Sequence, residues 1–237
     1  MSEARRAELA AGLARVRDRI AAACAAAGRD PGEVTLVAVT KTYPASDVVL
    51  LADLGVRDIG ENRDQEASGK AADVAAAGVD VRWHFVGQLQ RNKCASVVRY
   101  ADLVHSVDSV RLAEALDTAA QRHRERPLEV LVQVSIDGDP HRGGAPPDAV
   151  DAVIETVAAS AALRLRGVMS IAPLSWEPDV AFARLADLAR QLTVGYPTAN
   201  VISAGMSEDL EAAIRYGATH VRVGSALLGI RPRHGVA

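Results

Sequence analysis

Lys41 closes an unbroken run of strand-forming residues, Leu36-Val37-Ala38-Val39-Thr40, and Tyr43-Pro44 then turns the chain away. A lysine at the C-terminal end of a buried strand stands at the rim where α/β folds place their chemistry. Its apolar neighbours are expected to desolvate it and favour the free amine, the nucleophile of Schiff-base chemistry. A solvated lysine that merely ends a strand is the plainer alternative. Far along the chain, Ser203-Ala204-Gly205-Met206-Ser207 and Val223-Gly224-Ser225 bring small and hydroxyl-bearing residues to the ends of two more apolar runs. Glycines there let backbone N–H groups approach a ligand, and helix N-termini attract anions. The pair reads as a phosphate site, against the alternative of two ordinary glycine-punctuated turns. Ser207 reads as the N-cap of the helix that follows. Glu208 and Asp209 come next, and they repel a phosphate unless they project along the outer side of that helix.

An amine nucleophile opposite a phosphate cradle specifies a ligand that carries both an aldehyde and a phosphate. Pyridoxal 5′-phosphate (PLP) meets both demands. Arg222, on the last apolar run, can point inward to the pyridine nitrogen. An arginine is always protonated, so it donates to an unprotonated ring nitrogen and leaves a poor electron sink. An aspartate there would instead support carbanion chemistry.

These residues need a scaffold that gathers distant strand ends. Residues 2–27 predict a helix, with Ser2 as N-cap, a buried stripe of Leu9, Leu13, Val16, Ile20 and Cys24, and Gly28 and Pro31 as its stop. After it, strands are predicted at 34–40, 56–60, 82–87, 102–107, 129–136, 165–171, 200–204 and 220–225. Amphipathic segments predict helices between them, at 45–54, 62–77, 91–99, 109–124, 147–160, 178–192 and 207–216. Continuous rather than alternating hydrophobic strands require a parallel sheet covered on both faces. A closed (β/α)₈ TIM barrel and an open doubly wound sheet both fit this alternation. The count of eight favours the barrel, and no G-x-G-x-x-G follows the first strand to support dinucleotide binding. We expect one α/β domain over 1–237, a TIM barrel with an extra N-terminal helix.

Composition narrows the partners. The 237 residues are 49% hydrophobic and 3% aromatic, so the core is built mainly from Ala, Val, Leu and Ile. A net charge of −3 gives no nucleic-acid footprint and no membrane-surface stripe. Cys24 and Cys94 are too few for a disulfide framework and lack metal-ligand spacing, which fits a reducing, cytoplasmic setting. No apolar segment is long enough for a signal peptide or a membrane span.

Five stretches in register carry a resemblance: Ala38-Val39-Thr40-Lys41-Thr42, Gly60-Glu61-Asn62 with Gln65-Glu66, Trp83 to Lys93, Gly205 to Asp209, and Val221-Arg222-Val223-Gly224-Ser225. Together they resemble the PLP homeostasis protein family, itself similar to the N-terminal barrel of fold-type III alanine racemases. The resemblance implies that Lys41 holds PLP as a Schiff base and that Arg222 faces the ring nitrogen. It implies that Met206, Ser207, Gly224 and Ser225 hold the phosphate, and that Asn62 and His84 line the cofactor's surroundings. His84 reads equally well as a hydrogen-bonded core residue. Trp83 and Phe85 read as packing, Gln88 to Lys93 as a polar rim, and Cys94 as a helix residue. Three positions depart from the pattern. Thr40 stands where serine is common, Ala204 where a bulkier methionine is common, and Arg142 near where a lysine is usual. An arginine binds anions but forms no Schiff base.

The resemblance implies a non-enzymatic carrier that buffers PLP, hands it to PLP-dependent apoenzymes and affects amino-acid pools. The alternative is a PLP-dependent amino-acid racemase. A racemase needs an acid/base group on each face of the carbanion, so Lys41 needs an opposed partner. Fold-type III racemases take theirs from a C-terminal domain across a dimer. The sequence ends at Ala237, soon after the eighth strand, so neither that domain nor that dimer is expected and a monomer is. Tyr43, Tyr196 and Cys94 are the conceivable substitutes. A phosphate-binding metabolic barrel with an unrelated lysine is a third reading.

Overall fold

Eight parallel strands close into a barrel in chain order, β1 to β8, in a computed structural model that describes residues 3–139 and 142–229. The strands are β1 (Thr35–Val39), β2 (Asp58–Glu61), β3 (Arg82–Phe85), β4 (Leu103–Val107), β5 (Leu128–Gln133), β6 (Leu163–Met169), β7 (Val201–Ser203) and β8 (His220–Val223). The barrel closes where β8 pairs with β1, Val37 opposite Arg222 and Ala38 opposite Val223. This excludes the open doubly wound sheet.

Strand alternation decides what faces the interior. Ala38, Ile59, Trp83, Val221 and Val223 face outward and pack under helices. On the opposite faces of their strands, Leu103, Leu131, Met169 and Val201 form a small cluster inside the barrel. Phe85 is fully buried in the outer core, so Trp83 and Phe85 are packing residues as expected. The lumen also holds the polar side chains of His84, His105, Ser203 and Arg222. At its floor Glu129 accepts from Arg82 and pairs with Arg166 at 3.3 Å.

The helices are α1 (Glu3–Ala27), α2 (Ala45–Asp53), α3 (Asp64–Ala76), α4 (Cys94–Tyr100), α5 (Val110–His123), α6 (Val150–Ala159), α7 (Pro178–Gly195), α8 (Leu210–Arg215) and α9 (Ser225–Leu228). In α1 the expected stripe of Leu9, Leu13, Val16, Ile20 and Cys24 is buried. Each of its large aliphatic side chains contributes roughly 2 kcal/mol by leaving water. Gly28, at φ +67°, ends the helix in a Schellman motif: the Arg29 N–H donates to Cys24 O at 2.9 Å and the Gly28 N–H to Ala25 O at 3.3 Å. The proposed cap Ser2 lies outside the described residues. Paired bonds from Arg19 to Glu211, at 2.7 and 2.9 Å, fasten α1 to α8, and Arg5 fastens it to Asp47 of α2 at 2.7 Å.

Where the expected spans differ, the chain turns sooner than the apolar pattern suggests. The segment expected as one helix at 91–99 is a 3₁₀ turn, Arg91–Lys93, followed by α4, which begins at Cys94. The helix expected from 207 starts at Leu210, because Asp209 rather than Ser207 occupies the N-cap position. Both residue types favour that position. The Asp209 carboxylate accepts the Met206 N–H at 2.6 Å, which uses residues 206–209 as a turn.

Candidate functional site

β1 ends at Val39, and residues Thr40 to Tyr43 form a turn closed by the Tyr43 N–H donating to Thr40 O at 3.0 Å. Within it Thr42 sits at φ +69°. A β-branched residue in the left-handed region costs roughly 1–3 kcal/mol and persists only where its surroundings hold it. The turn carries Lys41 past the packed strand, so its side chain is exposed at the rim. The desolvation expected from its apolar neighbours is therefore absent, and the amine is accessible instead. The chain has three lysines, Lys41, Lys70 and Lys93. Lys70 is buried with its ammonium hydrogen-bonded to three oxygens, and Lys93 lies in the groove that Gln88 and Gln90 form beside the mouth.

The β7 and β8 loops meet on the same rim. Ser225 Oγ donates to Ser207 Oγ at 3.4 Å, a pairing that replaces the expected capping role of Ser207. Gly205, at φ +87°, lets the β7 loop lie close against α8, since a Cβ there would stand 2.6 Å from the Ala213 Cβ. The Gly224 carbonyl takes the N–H groups of Leu227 and Leu228, which leaves the N–H groups of Ser225 and Ala226 in the open first turn of α9. Two expectations are refined here. The Met206 N–H is bound by Asp209, so that amide is not free for an anion. Glu208 is exposed, whereas Asp209 is turned to its own loop rather than outward along the helix.

Arg222 lies inside the barrel, only 5% exposed, where Nη1 donates to Ser203 Oγ at 2.6 Å and Nη2 to Ser170 O at 3.0 Å. Burial lowers its pKa to about 10, against the opposing charge of Asp209, so it stays protonated at neutral pH. His84 is also interior rather than at the mouth. Its Nε2 meets Asp58 Oδ1 at 2.9 Å and its Nδ1 meets His105 Nε2 at 2.9 Å. His105 Nδ1 in turn meets Ser203 Oγ at 2.9 Å. One assignment of protons satisfies every link: Arg222 donates to Ser203, Ser203 to His105, His105 to His84, and His84 to the Asp58 carboxylate. Burial pushes His84 down and His105 well below the ordinary histidine range, so both rings are neutral, as this chain requires. Thus His84 supports Arg222 at second hand, through His105 and Ser203.

Asn62 lies partly buried behind Gly87, where any Cβ would come within 2.1 Å of the Asn62 carbonyl oxygen. Its Oδ1 is buried without a partner, an acceptor left for a donor at the mouth. Arg142, in the β5–α6 loop, donates from Nη2 to Ile171 O at 2.6 Å and lies 3.7 Å from Asp137. It ties two rim loops together. Pro140 and His141 of that loop lie outside the described residues.

Asp58, His220 and Lys70 escaped the sequence reading. Asp58 and His220 occupy inward positions in alternation with buried apolar neighbours, which was the available signal. Lys70 carried none, since it resembles any helix lysine.

The family model for the alanine racemase N-terminal domain matches residues 12–232. The pyridoxal phosphate homeostasis protein of Mycobacterium tuberculosis is 49% identical over 243 residues, covering 96% of this chain and 94% of that one. Its Escherichia coli counterpart is 40% identical over 233 residues, covering 94% and 97%. The chain belongs to the pyridoxal phosphate homeostasis protein family. Among solved structures, PipY of Synechococcus elongatus with PLP bound aligns with a TM-score of 0.80 at 34% identity, covering 93% of this chain and 100% of that one. The alanine racemase of Corynebacterium glutamicum shares the fold, with a TM-score of 0.67 at 19% identity, and this chain spans 63% of it. The family's racemase-like barrel is therefore present here, with Lys41 and the Ser207–Ser225 pair on its rim.

Proposed function

We propose that this protein binds PLP as a Schiff base on Lys41 and holds it for delivery to PLP-dependent apoenzymes, without turning over amino acids. The observation that carries this reading is the placement of an exposed lysine on the same rim as the Ser207–Ser225 hydroxyl pair. Bound PLP supplies an electrophilic aldehyde and a pyridine ring able to accept electrons. Ser207, Ser225 and the open first turn of α9 would take the phosphate, with Met206 shaping the loop through its side chain rather than its engaged N–H. Asn62 Oδ1, which has no partner of its own, would accept a hydrogen bond from a ligand donor at the mouth. Arg222 offers N–H donors and no acceptor, which suits an unprotonated ring nitrogen and weakens the ring as an electron sink. Relatives named for PLP homeostasis, and a PLP-bound neighbour at 34% identity, support the same reading.

The racemase alternative needs an acid/base group facing Lys41 across the ligand. Tyr43 donates its hydroxyl to Gly229 O at 2.6 Å. Cys94 is buried at the start of α4, and that burial pushes its thiol up to about 11. Tyr196 follows α7, at the end of the barrel away from the rim. None offers a free, suitably poised proton. Among the described residues, no helix is long and apolar enough to cross a membrane.

The phosphate assignment is tested by replacing both hydroxyls, Ser207→Ala with Ser225→Ala. A hydrogen bond to a charged group contributes about 1.5–3 kcal/mol, so PLP release is expected to quicken by roughly 10- to 100-fold while the link to Lys41 still forms. An unchanged off-rate, followed by transfer to an acceptor apoenzyme, contradicts the assignment.

A further inference from the structure

The two peptide groups that flank Lys41 are held from behind by one buried cluster. Lys70, on α3, donates to Thr40 O at 2.8 Å, Glu61 Oε1 at 2.5 Å and Glu66 Oε1 at 3.0 Å, which uses all three ammonium protons. Thr40 Oγ1 donates to Glu61 Oε1 at 2.6 Å, and the Thr42 N–H donates to Glu66 Oε1 at 2.5 Å. The carbonyl just before Lys41 and the N–H just after it therefore end on the same three side chains. The residue so held, Thr42, is the one non-glycine residue at positive φ among those described. Lys70 and Glu61 are 4% and 0% exposed at their side chains. A buried ion pair of this kind stabilises a fold little better than apolar packing would, whereas it fixes orientation well.

We infer that Lys70, Glu61 and Glu66 are positioning residues that clamp the Thr40–Thr42 turn and so aim the Lys41 amine at the aldehyde of the cofactor. The inference rests on Lys41 being the PLP lysine. The clamp holds the strained turn before the ligand arrives. The neutral amine then adds to the aldehyde carbon, the C=N bond replaces C=O, and the oxygen leaves as water. Glu61 and Glu66 act on this step only through the backbone of Lys41, not through the phosphate or the ring.

Glu66 gives the clean test, since it is the partly exposed member and its loss leaves the Lys70–Glu61 pair intact. Glu66→Ala removes the acceptor of the Thr42 N–H; Glu66→Gln keeps an amide oxygen there. Mixed with PLP, Glu66→Ala is expected to form the borohydride-reducible adduct about tenfold more slowly than wild type, with Glu66→Gln close to wild type. Affinity for pyridoxine 5′-phosphate, which lacks the aldehyde, should stay within about twofold in both, because that ligand does not report on amine aim. Amide exchange at Thr42 in the ligand-free protein should quicken in Glu66→Ala alone. An unchanged adduct rate in Glu66→Ala, beside a wild type that traps PLP on Lys41, overturns the clamp and leaves the proposed function standing. Equal losses of rate and of pyridoxine 5′-phosphate affinity overturn it as well, as a general structural defect. A wild type that traps no PLP on Lys41 overturns the proposed function and the clamp together.

Discussion

Lys41→Ala is expected to abolish the borohydride-trapped adduct altogether, and with it the yellow colour of PLP-loaded protein. The expectation is sharp because the chain has only two other lysines. Lys70 cannot substitute while Thr40, Glu61 and Glu66 occupy its protons, and Lys93 lies beyond Gln90 in the side groove. The noncovalent contacts proposed for Ser207, Ser225 and Arg222 would remain in the variant, so weak, reversible PLP binding should survive. Retention after gel filtration should fall by about 100-fold or more, since a covalent bond no longer has to break before release. Peptide mapping of the reduced proteins checks the result. An adduct of undiminished yield in Lys41→Ala, on Lys70 or Lys93, would contradict the assignment.

Acid should unfold the protein well above the usual carboxylate range. His84, His105 and His220 are buried, and burial lowers all three, His220 to about 3. The unfolded chain takes up protons on these rings below about pH 6.5, and the folded barrel does not. Stability is therefore unaffected by them above that value and falls as pH drops through it toward 3. His105 and His220 each contribute a slope of up to roughly 1.4 kcal/mol per pH unit, about 3 kcal/mol per unit together, with His84 adding in the same direction, against a total of about 5–15 kcal/mol. Asp58 stays ionised through this window, because the hydrogen bond from His84 and the neighbouring charges outweigh its burial and hold it below the ordinary value. Denaturant midpoints at pH 7.5, 6 and 5 measure the slope, and His220→Gln should reduce it by about a third. Midpoints that stay constant from pH 7.5 to 5 would show that the buried rings titrate normally.

The barrel itself was legible because each strand is a continuous apolar run between turn residues, and the spacing left room for one crossover helix each time. Lys41, Arg222 and the two serine loops were legible as well, since strand ends in a closed parallel barrel share one face. Local ambiguity accounts for Ser207, where two residues that cap well lie two apart and only tertiary contact chooses between them. The exposure of Lys41 depended on where β1 stops, which residue type alone does not decide. The interior chain from Asp58 to Arg222 spans five strands, and its links become visible only once the register of β2, β3, β4, β7 and β8 is known. Lys70 was least visible of all. Its role exists only because α3 packs behind the turn that follows β1.

On the function proposed above, the site keeps PLP without using it. PLP-loaded wild-type protein, its linkage to Lys41 first verified by absorbance and peptide mapping, is incubated in deuterated water with individual L- and D-amino acids, and Cα exchange is followed by NMR. If Arg222 meets the ring nitrogen as proposed, and Tyr43, Tyr196 and Cys94 offer no poised proton opposite Lys41, exchange is expected no faster than with free PLP at the same concentration. Sustained exchange and interconversion of enantiomers at enzymatic turnover rates would contradict the claim and make the protein a racemase.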